Sequence, residues 1–169
     1  MTSWNEIVRE HGPPTYRAAW RILRHAQDCE DVVQDVFIEA HKIFERGEIT
    51  HPRTLLNRMV TFRAIDLLRK RKLVDSIDGS PDLASSLHDP TLGPEKTAIE
   101  REETIHLRLV VAELPPRQAA VFCLMHFEEF SHDEIASTLE ISNGAVAMAL
   151  HKARAKLREV FGAHKESNQ

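Results

Sequence analysis

The stretch from Phe130 to Arg158, FSHDEIASTLEISNGAVAMALHKARAKLR, constrains the fold more than any other part of the chain. Its spacing predicts two short helices joined by a tight turn, the second running on into a basic tail. Ser131 is placed to cap the first helix, and Glu134, three residues later, closes a capping box. Ile135, Ala136 and Leu139 then give that helix an apolar face. Ser142 and Asn143 offer a second cap, after which Val146, Leu150, Ala153 and Leu157 fall on one stripe. The opposite face carries Ala147, Met148, His151, Ala155 and Arg158, flanked by Lys152 and Arg154. Two capped helices about three residues apart, the second amphipathic with a cationic end, describe a helix-turn-helix.

The chain has 169 residues, enough for one ordinary domain or two small ones, and its 42% hydrophobic content suffices for packed cores. A formal net charge of -4 argues against nucleic-acid binding only if charge is spread evenly. It is not. Cations cluster at Arg69-Lys70-Arg71-Lys72 and from Lys152 to Arg158, and acids gather from Asp28 to Glu39 and from Glu95 to Glu103. The local field at a contact face decides binding, so this separation suits one acidic and one cationic partner. Cys29 and Cys123 lie far apart with no CxxC pair, which points to a reducing compartment rather than a disulfide scaffold. With no long apolar run and no signal-peptide core, a cytoplasmic protein without membrane insertion is expected.

Helical spacing recurs throughout, and no period-two strand stands out. Trp4, Ile7 and Val8 open a short helix that His11-Gly12-Pro13-Pro14 is expected to interrupt; Tyr16, Trp20 and Leu23 share a face of the next. These aromatics read as core. From Asp28, expected as the cap, to Phe44 runs a helix with Val33, Val36, Phe37, Ala40 and Phe44 inward. Asp31, Asp35 and Glu39 form an acidic ridge on its outer side, beside Gln34 and Ile38. Such a ridge is a solvated face or, with an apolar residue next to the charges, a dock for a basic partner helix.

After a polar connection from Glu45 to Arg53, Thr54 is expected to cap a helix from Leu55 to about Lys72. Leu56, Val60, Ala64 and Leu67 point inward, while Arg58, Phe62, Asp66 and Arg69 recur outward. An outward ring between arginines fits single-stranded nucleic acid, where rings stack on bases and cations follow phosphates. The alternative is that Phe62 packs on the Tyr16–Leu23 helix. Leu73 to Pro94 breaks periodicity with Asp78-Gly79-Ser80-Pro81 and Asp89-Pro90, as a flexible linker does. Helix resumes from Glu95 to Glu113, and Pro116 is well placed to start the next, with Val121, Phe122 and Met125 inward. The expected fold is all-α: two small helical domains, residues 1–74 and 95–169, joined by a linker over 75–94, with the helix-turn-helix in the second.

In this order the segments resemble the extracytoplasmic-function (ECF) type of alternative sigma factor of bacterial RNA polymerase. DCEDVVQDVF is similar to the segment that docks on the polymerase clamp helices. RAIDLLRKRK resembles the helix that recognises and melts the minus-ten promoter element. ELPPRQAAVF, FSHDEIASTLEIS and LHKARAKLRE resemble the domain that reads the minus-thirty-five element.

The resemblance implies that Asp31, Gln34, Asp35 and Ile38 bind core polymerase, and that Arg58, Phe62, Arg63, Asp66, Arg69 and Lys70 contact minus-ten DNA, with Glu45–Arg53 cradling a flipped base. In the minus-thirty-five reader, Arg117, Lys152, Arg154 and Arg158 would anchor phosphates. Asn143, Met148 and His151 would read bases, with Ser142 and Ala147 on the same surface. The implied partners are core RNA polymerase, promoter DNA and an anti-sigma factor, with no cofactor, no metal and no small-molecule substrate. Leu55 stands where relatives usually have tryptophan, and Phe62 where they have asparagine. Glu129 and Glu140 replace glycines, which a turn accommodates if φ stays negative. The recognition helix commonly reads G-T-V-K-S-R-L; here Ala147 and Ala149 stand where cations often do.

A two-domain transcription regulator is the rival reading, though it has no use for the acidic ridge followed by RAIDLLRKRK. An enzyme is the other. Cys123, His126 and His132 suggest part of a zinc site, but a fourth ligand is missing, and no Gly-rich phosphate loop, nucleophile elbow or HExxH motif occurs.

Overall fold

The computed structural model describes residues 2–78 and 98–167. Among these residues there are seven helices and no strand: α1 (Trp4–Leu23), α2 (Ala26–Glu45), α3 (Pro52–Asp78), α4 (Ala98–Glu113), α5 (Pro116–His126), α6 (His132–Leu139) and α7 (Asn143–Ser167). None of these helices is long and apolar enough to cross a membrane.

The expected break at Pro13-Pro14 is absent; α1 runs through both prolines. Both rings lie on the exposed side, where the Arg9 and Glu10 carbonyls left without a donor can meet water. Ile7, Ala18, Ala19, Ile22 and Leu23 bury the other side, which outweighs the roughly 3 kcal/mol that a helix-interior proline costs. A capping box between Ser3 and Glu6 starts the helix.

His25, not Asp28, caps α2: its Nδ1 accepts the Asp28 backbone N–H at 3.3 Å. Asp28 sits in the first turn, buried, and takes a hydrogen bond from Arg71 at 2.5 Å. A carboxylate that fastens one helix to another is unavailable as a cap. The far end of α2 closes with Gly47 N–H on Phe44 O and Glu48 N–H on Ile43 O, the Schellman pattern, with Gly47 at φ 71°. Likewise Pro52, rather than Thr54, opens α3, since the Leu55 N–H already bonds His51 O. Helix α3 continues to Asp78, beyond the expected start of the linker; residues 79–97, with the rest of the linker and the expected helix start at Glu95, lie outside the described residues.

Helices α1, α2 and α3 pack on one another, as do α5, α6 and α7, and α3 also meets α4, α5 and α6. It therefore serves as the spine of both halves. One continuous core joins them, from Ile22, Val36, Leu56 and Val60 to Val111, Leu124, Ile135 and Val146. Two small domains are present, but they are packed together rather than held apart.

Candidate nucleic-acid interface

The helix-turn-helix forms as its caps demand. Ser131 Oγ accepts the Glu134 N–H at 3.2 Å, and Glu134 returns a carboxylate oxygen to the Ser131 N–H at 2.8 Å. Ser142 Oγ accepts the Ala145 N–H at 3.1 Å, so Ser142 is the cap of α7. Asn143 is instead tied sideways, its Nδ2 donating to Asp133 Oδ1 of α6 at 2.9 Å.

The turns differ from the expectation of negative φ. Glu129 and Glu140 both adopt φ 55°, the left-handed region that glycine enters freely. At the end of α6 this lets the N–H groups of Glu140 and Ile141 both reach Ala136 O. Closing the turn this way pairs both N–H groups with the Ala136 carbonyl at the helix end, and that compensates the strain of a left-handed glutamate.

On α7, Val146, Leu150, Ala153 and Leu157 are buried, and Ala147, Met148, His151, Lys152, Arg154 and Arg158 are exposed, as is Arg117 at the start of α5. Met148, at 54% exposure, is the large apolar residue of this face. Ala149 belongs to the core, so of the two alanines at cation positions only Ala147 faces outward. Arg154 lies near His126, and burial together with that positive charge holds the His126 imidazole below the usual histidine range.

On α2, Asp31, Gln34, Asp35, Ile38 and Glu39 form one exposed surface, with Ile38 52% exposed. Beside it opens a groove lined by Trp4, Phe37, Ile38 and His41. Part of the ridge is already neutralised: Arg63 of α3 pairs with Glu39 and approaches Asp35 at 3.9 Å. The acidic surface and the arginine-bearing surface are thus adjacent and joined.

On α3, Arg63, Asp66 and Lys70 are exposed, Arg58 and Arg69 partly so, and Lys70 pairs with Asp66 at 2.9 Å. Phe62 is 37% exposed. Leu55 is partly buried and lines a cleft of about 260 Å³ between the α2–α3 connection and α6, with Ile49, Thr50, His51, Arg58 and Glu140.

Sequence reasoning missed what lies between the halves. Arg108 is buried in α4, with a guanidinium that reaches the last turn of α1. Glu140 holds Arg58, and Arg53 lies 5.6 Å from the centroid of the Phe130 ring. Arg108 left a faint signal as a cation on a stripe otherwise apolar through Val111 and Leu114; the others left none.

The cysteines and histidines do not assemble: among the described residues, no group of three or more potential ligands could hold a metal ion. Burial pushes the Cys123 thiol up to about 12.

The family model described as Sigma-70 region 2 matches residues 7–74, and that described as Sigma-70, region 4 matches residues 106–157. The chain is 29% identical over 167 residues to the ECF RNA polymerase sigma factor SigE of Mycolicibacterium smegmatis, covering 97% of this chain and 63% of that relative's length. It is 27% identical to the ECF sigma factor SigW of Bacillus subtilis, covering 91% of this chain and 86% of the relative. With the RNA polymerase sigma factor NccH of Alcaligenes xylosoxydans xylosoxydans it shares 30% identity over 92% of this chain and 84% of that protein. A similar fold is seen in the sigma factor RpoE of Bartonella quintana, crystallised with the anti-sigma factor NepR, at a TM-score of 0.55, 15% identity and coverage of 92% and 94%. Both sigma regions are present, in order, on the two helical halves; the chain belongs to the ECF-type RNA polymerase sigma factors.

Proposed function

We propose that the chain is a dissociable subunit of bacterial RNA polymerase that selects promoters and assists their opening. The observation that carries this reading is the presence of both sigma regions in one chain whose relatives are named as sigma factors along nearly its whole length. Asp31, Gln34, Asp35 and Ile38 dock on the core enzyme; their exposure on one side of α2 supports this. Arg58, Phe62, Arg63, Asp66, Arg69 and Lys70 hold minus-ten DNA, and the cleft by Thr50 and His51 receives an unstacked base. Arg117, Ser142, Asn143, Ala147, Met148, His151, Lys152, Arg154 and Arg158 form the minus-thirty-five surface.

The protein is not an enzyme; polymerase makes the RNA. Melting needs no hydrolysis by this subunit, because unstacked bases regain stacking on rings such as Phe62 and charge neutralisation from the arginines around it. Sigma factors act in the cytoplasm, and an anti-sigma factor that covers exposed apolar residues such as Ile38 and Val74 is a further partner. The test is transcription by purified core polymerase on genomic fragments with this chain as the sole sigma factor. Defined start sites are expected, and Ile38→Asp is expected to abolish them. No start sites, under conditions where a control sigma factor initiates, would refute the reading.

A further inference from the structure

The first residue of α7 carries a side chain with no local task. Ser142 already caps the helix, its Oγ accepting the Ala145 N–H at 3.1 Å, so the Asn143 amide is not needed there. Gly144 leaves the space beside it open: an added Cβ would meet nothing closer than Ser142 Oγ at 3.9 Å. Asn143 instead reaches across the turn, and its Nδ2 donates to Asp133 Oδ1 of α6 at 2.9 Å. Both residues are exposed. Helices α6 and α7 are already packed through a core that includes the fully buried Ile135 and Val146. A hydrogen bond in contact with water adds little to that packing. What it fixes is the direction of the amide.

An asparagine left to itself can present either edge of its amide, a donor or an acceptor. A carboxylate only accepts, so Asn143 must turn its NH2 group to Asp133. What remains for a ligand is the carbonyl Oδ1 and the second N–H of Nδ2. In a major groove that carbonyl calls for an amino group, which adenine supplies at N6 and cytosine at N4. Guanine O6 and thymine O4 are acceptors and would face it unpaired. Adenine alone adds N7, which can take the remaining N–H.

We infer that Asp133 is a positioning residue that sets the base chosen by Asn143: adenine first, then cytosine, against guanine and thymine, at one position of the minus-thirty-five element. The inference rests on the reading of α7 as the promoter reader. Asp133 acts through the asparagine and need not touch the base. An asparagine at 133 would break this control, because it can offer Asn143 either its carbonyl or its NH2 group. Both orientations of the Asn143 amide then become available, and guanine is no longer rejected. The same change removes a negative charge near the DNA and so raises affinity for every sequence alike, an effect separate from base preference.

The test uses core polymerase loaded with the full chain, as the parent, Asp133→Asn, Asp133→Glu, Asn143→Ala and the double variant Asp133→Asn/Asn143→Ala. Each holoenzyme selects from promoter DNA randomised through the minus-thirty-five element. The parent is expected to favour adenine over guanine about tenfold at one position. Asp133→Asn should lower that ratio below about threefold at this position alone, while Asp133→Glu, still only an acceptor, retains most of it. Asn143→Ala should erase the preference, and adding Asp133→Asn should then change it no further. A preference that Asn143→Ala abolishes and Asp133→Asn does not move overturns the role of Asp133. Discrimination lost evenly at all positions in Asp133→Asn makes the bond a tie between helices and overturns it too. A parent with no preference anywhere in the element removes the reading of α7 as promoter reader, and the inference with it.

Discussion

The guanidinium of Arg108 is buried against the end of α1, with Nη2 2.6 Å from the Arg21 carbonyl oxygen and Nε 3.1 Å from that of Ile22. A third bond goes to Thr104 O at 3.1 Å. The last carbonyls of a helix lack intrahelical donors and carry the negative end of its dipole, so a cation there satisfies two needs together. Arg108→Ala would strand both carbonyls in a dry interface. The expected loss is about 2–3 kcal/mol, or a melting temperature lower by roughly 5–10 °C. Arg108→Lys should recover less than half, because one ammonium cannot reproduce the fork. Differential scanning calorimetry decides; a melting temperature within a degree of the parent would show that the contact is incidental.

Glu129 carries the cost of φ 55° without a compensating ion pair among the contacts described. Left-handed backbone costs an ordinary residue about 1–2 kcal/mol, and glycine's extra unfolded-state entropy returns roughly 0.5–1. Glu129→Gly should therefore stabilise the protein by about 0.5–1 kcal/mol, seen as a higher urea midpoint at unchanged slope. An unchanged midpoint would mean that the turn relaxes in solution.

Phe62 stays exposed on a helix whose other side is completely packed by Leu56, Val60, Ala64 and Ile65. Removing its ring should cost only about 1–2 kcal/mol of stability, since the residue is 37% exposed rather than fully buried. Binding to single-stranded promoter DNA should weaken by about 1–3 kcal/mol per stacked base lost. Phe62→Ala is thus expected to slow open-complex formation, read by permanganate footprinting, while Phe62→Trp retains it. A large drop in stability with no footprinting defect would assign the ring to packing instead.

Burial pushes the thiols of Cys29 and Cys123 up to about 11 and about 12. The folded state thus favours the neutral thiols, whereas unfolded cysteines ionise from about pH 8.5. This contribution to stability is fully present below that pH and is lost as pH rises towards the folded values. The urea midpoint should be flat from about pH 7 to 8 and fall by pH 10, and Cys29→Ala/Cys123→Ala should reduce the fall. Ellman's reagent at pH 8 should label neither thiol until the chain unfolds; rapid labelling of the native protein would contradict the burial.

Local chemistry was legible in the sequence; long-range chemistry was not. The Ser131–Glu134 box, the Pro116 start and the α7 core stripe need only neighbours three or four residues away, and each forms as its spacing demands. Where a tertiary partner competes, the local rule gives way. Asp28 leaves the cap to His25 because Arg71 takes its carboxylate, and Pro13-Pro14 stays helical because α1 is buried on its other side. The Arg108 lock and the ion pairs of Arg21 with Glu128 and of Lys72 with Glu113 join residues more than 40 positions apart, which no periodicity encodes. The candidate site follows the same division. Which residues face outward on α2, α3 and α7 could be read from period alone, but that Arg58 is held by Glu140 and Asn143 by Asp133 could not.

On α7, Met148 stands exposed beside Ala147, a little under two turns beyond Ser142, while Arg154 lies the same distance further on. The geometry separates reading from anchoring. A thioether near the helix N-terminus can meet a thymine methyl but cannot donate to a guanine, whereas an arginine there bonds the O6 and N7 of guanine. Met148→Arg should therefore shift promoter preference towards guanine at one position, by about 1–3 kcal/mol of discrimination. Arg154→Ala should weaken all promoters about equally and lower the slope of log affinity against log salt by about one. Selection from a randomised minus-thirty-five library, repeated at two salt concentrations, measures both effects. If Met148→Arg leaves preference unchanged, this face of α7 does not read bases.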